Sequence, residues 1–471
     1  MNQFKLCIVI GCCLTMFSAC KSSDDGNEES TEESCNKWIA NTMRKNYLWN
    51  TDIPEDNQLN FSSSPETFFY SLLSKNDGKS NQGTHLYYYS FIEKNKDYQA
   101  KSKSITDDTN SYGIEFVRYT VKNKSYEFDR VMYVLPDSPA EKSGLARGDW
   151  ITKIDGENIY PSKSDYKKLI SGSAHQLTIY HSLSDKSAVN LSLSASSAVN
   201  NSPIFYSSVI NVGTKEVGYL VYNQFLTGPH DDSTDHTYDK ELINVFNSKF
   251  RNVDEFVLDL RYNPGGYLSA ARLLSRLLIP SSSLSSVFCK VTDNQGKSNS
   301  YTFNDASKSK DYNLNGFTSI NLSRIFIITT SVTASASEAV INGISPCINV
   351  IQIGETTEGK NVGSVNYDAN DKYAWDIQPI TFKITSSANN DYSNGLKPKY
   401  AMDELDTEFN SSFLPLGNKD EYLLHKALSL IDGSSTPALS IKKTSLLFDV
   451  KPQPIVYPSQ KIKGAILTPD F

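Results

Sequence analysis

Three apolar runs constrain this chain more than any other feature: Phe256-Val257-Leu258-Asp259-Leu260, Ile325-Phe326-Ile327-Ile328-Thr329 and Val350-Ile351-Gln352-Ile353-Gly354. They are short, continuous rather than alternating, and rich in β-branched side chains, which is the pattern of strands covered on both faces. Helical stripes run from Tyr238 to Phe250, Leu268 to Leu278 and Glu338 to Ile344. Strands alternating with helices predict an α/β layer, with Val217-Gly218-Tyr219-Leu220-Val221-Tyr222 as a further strand.

At 471 residues the chain needs more than one core, and the flanks of the α/β layer supply two. Residues 35–108 read as a small helical N-terminal domain. Trp38, Ile39, Met43, Tyr47 and Leu48 recur at three- and four-residue steps, and Pro65 opens a second helix with Phe68, Phe69, Leu72 and Leu73. Residues 109–196 read as a β-rich module. Its strands start at Ile114, Val131 and Gln176, a capped helix runs from Ser138 to Gly144, and Asp149 to Glu157 reads as strand, Asp-Gly turn, strand. A second short helix covers Ser164 to Ser171. Residues 197–434 carry the α/β layer, and 435–471, with Pro437, Pro452, Pro454 and Pro458, read as a strand-bearing tail.

The order Ser138-Pro139-Ala140, Gly144-Leu145, Gly148-Asp149, Ile154-Asp155-Gly156 resembles a PDZ domain of the kind found in bacterial proteases. That resemblance places peptide binding at Tyr112, Gly113 and Ile114. Gly113 lets backbone amides turn toward a terminal carboxylate, while the following strand edge offers main-chain hydrogen bonds to any sequence.

The first residues speak to export. Lys5 precedes the apolar run Leu6 to Phe17, which is too short to span a bilayer, and small residues follow at Ser18 and Ala19. Residues 1–19 read as a signal peptide. Phe17-Ser18-Ala19-Cys20 resembles a bacterial lipobox, implying lipidation of Cys20 and an outer-membrane lipoprotein on the periplasmic side or cell surface of a Gram-negative bacterium; the plain alternative is an ordinary signal peptide. Residues 20–34 are polar and acidic and read as a disordered tether. Beyond Cys20 only Cys35, Cys289 and Cys347 remain, without CxxC spacing, so neither a disulfide framework nor a zinc site is indicated. A net charge of -7 argues against nucleic acid as a partner.

No GxSxG elbow, HExxH helix or GxxxxGK[ST] loop is present. Three strand-to-helix or strand-to-loop junctions take their place. Asp259-Leu260-Arg261-Tyr262-Asn263-Pro264-Gly265-Gly266 presents glycine amides at a helix start, as an oxyanion site or only a tight turn. Thr333-Ala334-Ser335-Ala336-Ser337-Glu338 holds an open serine at another helix start, where a serine is usually a cap and Ser337 fits that role. Gly354-Glu355-Thr356-Thr357-Glu358-Gly359-Lys360 brackets a lysine with glycines; alone, it reads as a solvated loop lysine.

Together with LVYNQF at 220–225, these motifs resemble the catalytic domain of the C-terminal processing (tail-specific) peptidases over residues 217–363. The resemblance implies a multidomain α+β chain whose catalytic domain is of the ClpP/crotonase-like type. It also implies a Ser/Lys pair, with Ser335 as nucleophile and Lys360 as base, an oxyanion hole from Gly265 or Gly266 with Ala336, and no metal or organic cofactor. Burial lowers a lysine's pKa from about 10.4, as a base at that position requires. Family members often carry Gln four residues after the lysine to orient it. This chain has Ser364 there. The implied activity is a serine endopeptidase acting on peptides or unfolded proteins, with the PDZ-like module presenting their C-termini; a catalytically idle peptide-binding or scaffolding lipoprotein is the alternative. The cluster His230-Asp231-Asp232-Ser233-Thr234-Asp235-His236 reads as a polar surface loop rather than a metal site.

Overall fold

The buried runs form the middle of a six-stranded sheet in the order 204–212, 215–222, 255–259, 324–329, 349–354, 400–401. Only the pairing of Ile204–Val212 with Lys215–Tyr222 is antiparallel; the rest of the ladder is parallel. Because side chains alternate across a strand, each strand feeds two cores. Leu220, Leu258, Ile325 and Ile327 pack against helices Thr237–Val245, Leu268–Leu278 and Ala336–Ile344. Tyr219, Val257, Phe326, Ile328 and Ile351 face helix Tyr422–Asp432 on the other side. The predicted strands and helices of this layer are all present, the helix from Thr237 ending in a π-turn over Phe246–Phe250. Helix Tyr422–Asp432 was not anticipated, although Leu423, Leu424, Ala427, Leu428 and Ile431 make a plain helical stripe.

These coordinates are a computed structural model whose described residues are 31–81, 84–94, 110–229, 234–308, 312–314, 316–369, 372–405, 413–433, 448–452 and 465–466. The signal peptide, Cys20, residues 230–233 of the histidine-containing loop and most of the tail lie outside them. Among the described residues no helix is long and apolar enough to cross a membrane.

The tether ends earlier than expected, because helix Thr31–Asn46 takes in residues 31–34. Glu32 and Glu33 suit the positive end of the helix dipole, and Ser34 Oγ donates to the Tyr373 hydroxyl (2.9 Å). The N-terminal domain is also less helical than predicted. After Pro65–Ser71 come strands Lys79–Asn81, Thr84–Tyr87 and Phe91–Lys94, the last pairing with Trp375–Gln378 of the catalytic domain. Its core is not separate: Ile39, Met43, Tyr47 and Phe68 cluster with Val362, Tyr373, Ile377 and Ile380. Short strands whose partner lies nearly three hundred residues away leave no local signature.

The PDZ-like module follows its predicted order, with a sheet ordered 189–193, 175–180, 150–154, 127–134, 114–121. Ser138 caps helix Pro139–Lys142 by accepting the Glu141 amide (3.2 Å). Two pieces of the tail add strands: Val450–Pro452 pairs with Tyr119–Val121, and Ala465–Ile466 with Gly363–Ser364 of a second, five-stranded sheet.

Candidate active site

Ser335 sits between strand Arg324–Thr329 and helix Ala336–Ile344 with φ 59° and ψ −111°, a backbone conformation that an L-residue adopts only under constraint. The constraint is visible. Ala334 N and Ser337 Oγ both donate to Asn263 O (3.1 and 2.9 Å), so the turn is tied to the glycine loop on the neighbouring strand. Ser335 is therefore the helix's N-cap residue, and Ser337, expected as the cap, is a tether to Asn263. Ser335 Oγ has no hydrogen-bond partner.

The glycine loop fits against this turn. Gly265 has φ 111°, and a Cβ there would lie 2.8 Å from Ser335 Cβ, so only glycine allows the approach. The three oxyanion candidates are not equivalent. The Gly265 amide donates to Asn263 Oδ1 (2.9 Å), whose Nδ2 in turn reaches Tyr222 O (2.8 Å). That leaves the amide of Gly266 and that of Ala336, the first helical residue, whose N–H has no intrahelical acceptor.

Lys360 is not a surface lysine: it is 1% exposed, and Nζ has no hydrogen-bond partner. Burial pulls its pKa down to about 8, against the opposing pull of Asp77, Glu358 and Glu338. The Tyr89 ring faces the lysine, with its centroid 4.5 Å from Nζ.

Glu338, to which the sequence reading gave no role, joins the two halves. Its Oε2 accepts the backbone amides of Ser335 and Lys360 (both 2.8 Å), and its Oε1 accepts the Gly359 amide (2.7 Å) and the Thr357 hydroxyl (2.5 Å). One carboxylate thus fixes the nucleophile turn to the lysine loop. Burial pushes its pKa up to about 7 in spite of these donors. The spacing Ser335-x-x-Glu338 is a capping-box pattern and was the available signal.

Ser364 lies against Gln378. Its hydroxyl accepts Gln378 Nε2 (2.8 Å), and Lys360 Nζ has no hydrogen bond to it. In the PDZ-like module, Tyr112 is a core residue whose amide donates to Ile170 O (3.1 Å) and whose hydroxyl donates to Ser173 O. Gly113, at φ 77°, has its amide engaged by Ser111 Oγ (3.0 Å). Ile114 starts the strand and pairs with Val134. His236, the described histidine of the suspected cluster, contacts Asp239 Oδ2 (2.7 Å), and no metal-type cluster occurs among the described residues.

Beneath the glycine loop lies a second buried charge. Arg261 binds Asp259, Glu404 and Glu421 at 2.7 to 3.0 Å, and Arg147 from the PDZ-like module shares Glu404 (3.0 Å). Arg261 and Arg147 hold the Glu421 carboxyl down to about 2.

Fold and site define a PDZ-bearing chain in which one carboxylate, Glu338, ties a strained serine turn to a buried lysine's loop at the end of a mostly parallel sheet. Residues 216–402 match the family model of Peptidase family S41, 34–91 that of the Peptidase S41 N-terminal domain, and 130–179 that of a PDZ domain. The carboxyl-terminal-processing protease of Picosynechococcus sp. is 25% identical over 281 residues, covering 58% of this chain and 60% of that protein. The carboxy-terminal processing protease CtpB of Bacillus subtilis is 23% identical over 287 residues, 59% of this chain and 54% of that one. The chain thus spans little more than half the length of these curated relatives. A solved structure of the S41 type from Bacteroides fragilis NCTC 9343 aligns with TM-score 0.67 at 29% identity, covering 84% of this chain and 97% of that one. The chain thus carries an S41 N-terminal domain, a PDZ domain and an S41 peptidase domain over residues 34–91, 130–179 and 216–402, and is homologous to the carboxyl-terminal processing proteases.

Proposed function

We propose that this protein is a serine endopeptidase that cleaves peptides or unfolded proteins through an acyl-enzyme formed on Ser335, with Lys360 as general base. The observation that carries this reading is the pair of buried, hydrogen-bond-free atoms, Ser335 Oγ and Lys360 Nζ, on two segments clamped by one carboxylate, Glu338. With a pKa near 8, a useful fraction of Lys360 is neutral at neutral pH. The amine takes the Ser335 proton as Oγ attacks the peptide carbonyl. The oxyanion draws on the Gly266 and Ala336 amides, where one lost donor costs roughly 3 to 4 kcal/mol of barrier. The ammonium returns the proton to the leaving amine, and water then hydrolyses the ester by the same route.

The PDZ domain presents substrate C-termini by strand addition along residues 114–118, and Cys20 anchors the exported protein to the outer membrane through lipid. The PDZ match over residues 130–179 supports the first of these, and the lipobox-like Phe17-Ser18-Ala19-Cys20 the second. The test of the chemistry is incubation of the purified protein with unfolded casein beside a Ser335→Ala control. Cleavage by the wild type and none by the variant is expected; equal cleavage by both would refute the assignment. Cys20→Ser should move the protein out of the membrane fraction, and unchanged membrane association would refute the anchor.

A further inference from the structure

The N-terminal domain contributes Tyr89 and Asp77 to the lysine's surroundings. The Tyr89 ring covers Nζ, and the Tyr89 hydroxyl donates to Glu358 Oε1 (2.9 Å), two residues before Lys360. Tyr87 donates to the same oxygen (2.7 Å), while Lys79 meets Glu358 Oε2 at 3.5 Å and also bonds the Glu358 carbonyl. The Tyr89 backbone is fixed in turn. Its amide donates to Asp77 Oδ1 (2.9 Å), and Asp77, fully buried, also takes the Ser90 amide (3.1 Å) and the Tyr47 hydroxyl (2.8 Å).

We propose that Tyr89 is a positioning residue for Lys360: its ring face holds the otherwise hydrogen-bond-free Nζ, and its hydroxyl pins the loop that carries the lysine. The N-terminal domain is then part of the catalytic apparatus rather than an appendage, consistent with the core it shares with residues 362–380. The inference rests on the Ser335/Lys360 reading above.

The electrostatics give it a sign. An aromatic face attracts the ammonium and not the neutral amine. It acts in the same sense as the carboxylates of Asp77, Glu358 and Glu338, and against burial. Lys79 faces Glu358 rather than Nζ, and Tyr87 reaches it through the same carboxylate. Removing the ring while keeping the pocket apolar therefore lowers the lysine's pKa, so the amine is freed at lower pH but is no longer held in place.

The experiment uses the full chain in detergent with dye-quenched casein, measuring kcat and KM from pH 6 to 10. The wild-type kcat should rise with pH, with its upper step near 8 for Lys360. In Tyr89→Leu and Tyr89→Met the upper step should move to lower pH by roughly half a unit. Their plateau kcat should fall about tenfold with KM little changed. Tyr89→Phe, which keeps the ring, should retain the wild-type upper step. A lost packing contact alone lowers the unfolding midpoint without moving that step, so an unmoved upper step in both the Leu and Met variants overturns the proposal. An upper step displaced in a folded Tyr89→Phe protein, which has lost only the hydroxyl that pins the loop, overturns it as well, since the ring would then not be the group that favours the ammonium. Lys360→Ala in the same assay separates the two levels: if it still cleaves casein, the Ser/Lys reading itself has failed.

Discussion

Two of the buried cations in this protein are treated in opposite ways. Arg261 is 0% exposed and meets three carboxylates, which raise its pKa well above the usual range. Lys360 is 1% exposed and meets no hydrogen-bond acceptor, and its pKa falls to about 8. Both belong to loops that follow strands of the same sheet, at Glu255–Asp259 and Asn349–Gly354. Burial alone therefore says little about what a charge is for. A fully paired guanidinium is fixed in one protonation state and ties Asp259, Glu404 and Glu421 together, whereas an unpaired amine is left ready to exchange a proton.

The largest effect that would break this contrast is on turnover. Lys360→Ala should reduce casein cleavage by roughly four orders of magnitude, and Lys360→Arg nearly as much, because a guanidinium does not deprotonate near neutral pH. Near-normal turnover in either folded variant would remove the functional half of the comparison. Next comes Arg261→Met, which takes the shared guanidinium from Asp259, Glu404 and Glu421 and leaves Arg147 beside the two glutamates. It should cost about 3 to 5 kcal/mol in urea unfolding, and a loss under ~1 kcal/mol would show the cluster to be structurally idle.

The reverse sign is expected for the lysine. Its folded pKa, about 8, lies below its ordinary 10.5, so the cost of burying the charge is fully present below pH 8 and vanishes as pH rises through 10.5. Lys360→Met should accordingly be more stable than wild type by about 3 kcal/mol at pH 7, with the gain fading between pH 8 and 10.5. A constant gain across that window would mean that packing rather than charge is responsible. The smallest effect belongs to Ser364→Ala: with its hydroxyl engaged by Gln378, kcat should stay within about threefold of wild type, and a much larger loss would restore it as the lysine's orienting group.

How much of this was legible depended on whether the signal was local. The strands Glu255–Asp259, Arg324–Thr329 and Asn349–Gly354 announce themselves because burial on both faces demands unbroken apolar runs. Ser335 and Lys360 were reached through motif resemblance, since the lysine's own neighbours, Glu358 and Asn361, suggest a wet loop. What sequence spacing could not supply is the convergence of Asp77, Tyr89 and Glu338 on that lysine. Asp77 and Tyr89 come from a domain whose strands pair with residues far along the chain, and only Glu338 carried a readable pattern, the capping box.

The two strands of the tail have a consequence for anyone who shortens the chain. Val450–Pro452 lies along Tyr119–Val121, and Ala465–Ile466 lies along Gly363–Ser364, so one terminal stretch finishes the border of two sheets in different domains. Pro452 has no N–H to offer a further neighbour. Cutting after residue 447 would bare rows of unsatisfied backbone groups at both borders and take Phe448 and Val450 from the small core they share with Tyr119, Phe128 and Trp150. The damage would then surface between molecules, as strand-to-strand sticking at high concentration, as well as within one as a lower melting temperature.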